Sequence, residues 1–148
     1  MQFSLLKEFI AFYPDGLGHF SEDKLEQSYI RSCCNKIDKN VPRKVSYNNF
    51  LWCYKGEEEN LPSYAEILID GCITGKKYSK SIIIYDENGV VDYCRNVKEI
   101  TNGNKQRIKE IYDACVSGDV VDGFRYKYLL DAPEVDIIQL IKKKYCIL

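Results

Sequence analysis

The sequence predicts an α+β fold: a mainly antiparallel sheet of about five strands, with helices from both chain ends packed on it. Three observations predict it. Apolar residues recur at helical spacing near both ends of the chain. Between them, runs of alternating apolar and polar residues read as strands, and strands that follow one another without a helix pair antiparallel. The length, 148 residues, suits one domain, 1–148, whose core needs no metal or disulfide to fold.

The elements follow in order. Phe3 to Tyr13 reads as a short helix with Leu5, Phe9 and Phe12 in one stripe, stopped by Pro14, Asp15 and Gly16. A second helix is expected from Ser21 as N-cap, with Glu22 and Asp23 suiting the positive end of its dipole. Its apolar stripe is Leu25, Tyr29, Cys33 and Ile37, at strict i,i+4 spacing. Lys44 to Lys55 reads as a strand, with Phe50, Trp52 and Tyr54 on one face. From 62 to 73 the pattern is ambiguous. Ala65, Ile67 and Ile69 alternate as in a strand, and that reading is taken; Pro62, Ala65-Glu66 and Gly71 also suit a short helix.

The segment Ser81-Ile-Ile-Ile-Tyr-Asp-Glu-Asn-Gly-Val-Val-Asp-Tyr-Cys94 is a hairpin. A turn at Glu87-Asn88-Gly89 with a glycine bulge pairs Tyr85 with Val91 and Ile83 with Tyr93. Those aromatic–aliphatic pairs are better cross-strand partners than Tyr85 with Asp92 in the alternative register. Ile82, Ile83 and Ile84 offer apolar side chains to both faces, as a central strand does. Asn104 to Ser117 is a helix with Ile108, Ile111, Tyr112 and Cys115 as its stripe and Gly118 as its stop. Gly123 to Leu130 alternates as a strand. In the last helix Asp131 is expected to cap, Pro133 to sit in the first turn, and Ile137, Ile138, Ile141 and Tyr145 to face inward.

Composition excludes several functions. A net charge of -1 does not suit a general nucleic-acid binder, which needs a basic footprint. The strand Phe124-Arg-Tyr-Lys-Tyr128 sends its aromatics to one side and Arg125 and Lys127 to the other, whereas stacking and phosphate binding require one shared surface. The odd count of seven Cys, with no CxxC, reads as reduced thiols in a cytoplasm. Met1 to Tyr13 carries Lys7 and Glu8 inside its apolar run, unlike a secretory signal, and no apolar run reaches the length of a membrane span. Asp86-Glu-Asn-Gly89 lacks the further carboxylates of a calcium loop. No metal and no cofactor is expected.

Candidate site residues are few. His19 is the sole His, so a Cys–His enzyme would have to use it, with Cys33 or Cys34 as nucleophile. Both Cys lie inside a predicted helix, which does not lower a thiol pKa as a helix N-terminus does. A carboxylate-based enzyme would draw on Glu66, Asp70 and Asp92. Glu57, Glu58 and Glu59 form an acidic loop that can steer a basic partner, and Tyr54 beside them is a natural interface anchor. The function expected is a non-enzymatic cytoplasmic protein that binds and inhibits another protein, of the toxin-immunity or phage anti-defence kind. The partner would be a basic toxin or nuclease. The alternatives are the small enzyme just described and a ligand-sensing module.

Overall fold

A computed structural model describes residues 1–14, 16, 22–34, 45–70 and 80–147. Within them the first departure from the expected elements comes at the amino-terminal run. Phe3–Tyr13 is not a helix. Gln2–Ser4 (β1) and Phe9–Ala11 (β2) form an antiparallel pair. The reason lies at Lys7, whose φ of 63° is left-handed and cannot continue a right-handed helix. The Lys7 N–H donates to Ser4 O and the Ser4 N–H to Glu8 O, closing a tight turn. The register shifts between Gln2 and Phe3, so an extra residue, Ile10, bulges from β2.

β1 is the middle strand of a sheet ordered β2-β1-β3, all antiparallel, with β3 at Phe50–Trp52. The strand expected over Lys44–Lys55 is therefore much shorter. Asn48 and Asn49 both have positive φ and form a tight turn, across which Tyr47 and Phe50 exchange two main-chain hydrogen bonds. Asn tolerates the left-handed region better than other non-glycine residues, so it serves here.

The second helix, Lys24–Cys34 (α1), starts where the Asp23 carboxylate accepts the N–H groups of Leu25 and Glu26. The expected cap Ser21 and the stripe residue Ile37 lie outside the described residues. The buried face is Ile30, Cys33 and Cys34; of the expected stripe Cys33 is buried, while Tyr29 and Leu25, the latter 60% exposed, are not. A strict i,i+4 row drifts about 40° per step around a helix, so its ends leave the buried face. α1 packs its face on Trp52, with Tyr13, Tyr47 and Phe50 around it.

Residues 64–69 form a helix, Tyr64–Ile69 (α2), not the expected strand. Ser63 and Glu66 make a reciprocal capping box: the Glu66 N–H donates to the Ser63 hydroxyl and the Ser63 N–H to the Glu66 carboxylate. The apparent alternation of Ala65, Ile67 and Ile69 arises because every residue from Ala65 to Ile69 is buried. Asp70, left-handed at φ 51°, ends the helix.

The chain divides into two compact units, Met1–Thr74 and Gly75–Leu148. The second contains Ile82–Asp86 (β4), Gly89–Cys94 (β5), the short helix Lys98–Thr101 (α3), Lys105–Ser117 (α4), Arg125–Tyr128 (β6) and Glu134–Lys144 (α5). The strands form a second antiparallel sheet, ordered β5-β4-β6. Two three-stranded sheets thus replace the one sheet of about five strands that the pattern predicted.

β4 is central, as its two-faced isoleucines predict. Ile82 belongs to a buried cluster with Cys94, Val97, Ile111, Ala114 and Tyr126, so α4 covers that face. Ile83 and Tyr85 point the other way, where the Tyr85 hydroxyl donates to the Asp136 carboxylate of α5 at 2.8 Å. The hairpin register is mixed. Ile83 pairs with Tyr93 as expected, but a bulge after Ile84 pairs Tyr85 with Val90, not Val91, and Asp86 with Gly89. α4 begins at Asn104, whose side chain accepts two N–H groups, and ends at a left-handed Gly118. α5 is capped at Pro133, not Asp131, because Leu129–Asp131 forms a 3-10 turn of its own. Its buried residues are Ile137, Leu140 and Ile141.

Candidate partner-binding surface

Tyr54 and the acidic triplet lie together in the first unit. Tyr54 leaves the end of β3 half exposed, and its carbonyl accepts the Glu57 N–H at 3.0 Å. This turn leads into a 3-10 turn at Glu58–Asn60. Glu58 and Glu59 face solvent, while Glu57 is half-buried. Their field is felt nearby. Burial raises the Cys53 thiol above its ordinary value; the amino terminus opposes this, and Glu58, Glu57 and Glu59 add to it.

Tyr54 also borders a cleft of about 370 Å3. Its wall is mostly apolar, made by Trp52, Ile30, Phe12 and Tyr13, with Arg31 and Lys55 supplying charge. The Lys55 ammonium sits 5.2 Å from the centre of the Phe12 ring. The Tyr13 ring lies 6.3 Å from that of Trp52, and its hydroxyl donates to the Gln2 side chain at 3.0 Å.

The edge strand β2 was missed by periodicity. Phe9 is 58% exposed and Ile10 45% exposed, although the Phe9 ring still touches the edge of Phe3. Because the Ser4 N–H bonds Glu8 O, the next residue, Phe9, turns its own N–H and C=O away from β1. An exposed apolar edge strand offers both hydrogen-bonding groups and side-chain area to another chain. The signal available in the sequence was the aromatic and β-branched content of Phe9-Ile-Ala-Phe-Tyr13, typical of a strand.

His19 lies outside the described residues. Cys33 and Cys34 are buried against Trp52 and Ile30, and the Cys33 thiol donates to Tyr29 O within its own helix. They act there as small apolar side chains. Of the three carboxylates, Glu66 is buried in the α2 capping box, Asp70 is an exposed helix end, and Asp92 belongs to the second unit, where it accepts the N–H of Tyr93. Among the described residues, no three His, Cys, Asp or Glu side chains gather as a metal-holding group. Nor is any described helix long and apolar enough to cross a membrane.

The described cysteines are all free thiols, but they differ in chemistry. Burial, helped by Glu99, pushes Cys94 up to about 12; burial and then Asp131 push Cys115 up to about 11. Cys146 is exposed. An alkylating reagent near pH 8 should therefore label Cys146 first, the half-buried Cys115 more slowly, and the buried Cys94 only when the second unit opens. Peptide-resolved mass spectrometry reads this directly, and equal rates at the three thiols would contradict the packing described. The same shifts carry a pH dependence. Unfolded thiols lose their protons near 9.0, while the folded ones hold them to about 12 and about 11. This contribution to stability is full below the unfolded value and is lost as pH rises through the folded values, so the urea midpoint should fall with rising pH across that window.

The chain matches no protein-family model, no curated protein and no solved structure.

Proposed function

We propose that this is a non-enzymatic cytoplasmic protein that binds another protein and inhibits it by covering a functional surface, in the manner of a toxin-immunity or anti-defence protein. The observation that carries the reading is the apolar edge strand Phe9–Ala11, whose unit also holds the Tyr54-lined cleft and the acidic turn Glu57–Glu59. An apolar edge supplies pairing and anchoring, and a nearby acidic turn favours a partner with a basic surface. Free thiols suit a reducing cytoplasm.

The test is affinity capture from the native cell with the full chain and two variants, followed by mass spectrometry and measured binding of whatever is retained. Replacing Phe9 and Ile10 together by Lys should weaken the complex by about 2 kcal/mol or more, roughly thirtyfold, through a faster off-rate. Reversing Glu57, Glu58 and Glu59 to Lys should instead slow association about tenfold at low salt, an effect that fades as salt is added. A captured partner indifferent to both changes would refute this surface as the binding site.

A further inference from the structure

We infer that the free edge of β6 is a second docking edge, and that it takes an extended acidic peptide segment. Among the described residues β6 pairs with β4 alone, apart from a bridge between Val121 and Phe124 just before it. The Leu129 N–H donates to Ser81 O at 2.8 Å. By the antiparallel alternation Arg125 and Lys127 also direct their main-chain groups at β4, so those of Tyr126 and Tyr128 point to the outer edge. These outward groups are what an incoming strand would bond.

A cleft of about 570 Å3 lies here, lined by Arg125–Lys127, by the hairpin turn Asp86–Gly89 and by Cys115–Gly118 at the end of α4. That volume is within the usual range for a bound ligand. Arg125 and Lys127 are exposed, two residues apart, and project to the same face. Neither is in an ion pair among the described residues; Lys127 rests 5.4 Å from the centre of the Tyr85 ring. Two carboxylates at i and i+2 of an added strand would lie opposite these two cations. The intervening residue would face the other side, where Val116 of the cleft wall is exposed, so an apolar residue fits between the acids. The cleft also contains Asp86 and Glu87. The Asp86 carboxylate is already engaged by the Asn88 N–H at 2.7 Å; as the last residue of β4 it follows Tyr85, the partner of Arg125, and so points to the opposite face, while Glu87 lies in the turn.

A single-stranded nucleic acid would use the same cations but would need aromatic faces to stack on. Tyr126 is only 6% exposed, and Tyr128 is stacked on Tyr112 with ring centres 6.1 Å apart. The peptide is therefore the better occupant.

Fluorescence anisotropy with the full chain tests this, using a labelled peptide of sequence Thr-Val-Glu-Val-Glu-Val-Thr. The glutamate peptide should bind saturably. Its lysine counterpart, and a version N-methylated at alternate amides, should each bind at least about tenfold more weakly. The double variant Arg125→Glu/Lys127→Glu should reverse the preference in favour of the lysine peptide, with an unchanged unfolding midpoint because both side chains are exposed. Equal binding of the N-methylated peptide would show that no strand is added and overturn the proposal. Equal binding of the glutamate and lysine peptides, or tighter binding of an oligothymidine, would overturn it as well.

Discussion

Replacing Trp52 by alanine is expected to cost the first unit about 3–5 kcal/mol, comparable with the whole stability of many small domains. Trp52 is 2% exposed and lies at the centre of a cluster with Ile30, Cys33 and Cys34, where α1 meets the sheet. It also forms part of the cleft wall beside Tyr54 and Phe12, so the same change should enlarge the cleft. Trp52→Phe keeps an aromatic ring in place and should lose clearly less. Phe12→Ala is the control. Phe12 lines the same cleft but is exposed, and its loss should cost about 1 kcal/mol. Because the chain has a single Trp, the variants are compared by circular dichroism in urea rather than by fluorescence. Equal losses from Trp52→Ala and Phe12→Ala would mean that the packing of this unit is misdescribed.

The two units differ in how much of them the sequence revealed, and the reason is physical. In the second unit, local signals agree with tertiary packing. Asn104 caps α4 and Gly118 ends it, the Ile82-Ile-Ile84 run is central, and Arg125–Tyr128 alternates as it sits. In the first unit the strands are three residues long, too short for period two to outvote a helical stripe. Two of its turns rest on left-handed Lys7 and on Asn48 and Asn49, where no glycine marks the change of direction. At 62–73 the alternation of Ala65, Ile67 and Ile69 suggests a strand only because the whole segment from Ala65 to Ile69 is buried, whereas the structure starts a helix there with the Ser63–Glu66 capping box. The candidate surface divides likewise. Tyr54 and Glu57–Glu59 are neighbours in sequence, so grouping them needed no fold. Phe9 and Ile10 stand exposed on a strand that, among the described residues, pairs with β1 alone, and no local pattern reports which side of a strand is left unpaired.

Ile82→Ala and Ile83→Ala should each cost the second unit about 2–5 kcal/mol. Both side chains are fully buried, although they are adjacent in sequence and point in opposite directions. Ile82 packs in the cluster beneath α4, while Ile83 faces the side on which Tyr85 bonds Asp136 of α5. A sheet covered by helices on one face only would bury one isoleucine and expose the other, and then one substitution would be nearly silent. Two large effects are thus the signature of a strand covered on both faces. The conservative changes Ile82→Val and Ile83→Val sharpen the point, since each should cost about 0.5–1.5 kcal/mol and leave the unit folded. The two side chains lie on opposite faces of β4, so the double variant should lose the sum of the single losses to within about 0.5 kcal/mol. A coupling much larger than that would mean that the two cores communicate through β4. Burial of one isoleucine would then depend on the other, and the helices on opposite faces would hold the sheet as one cooperative layer rather than as two independent contacts.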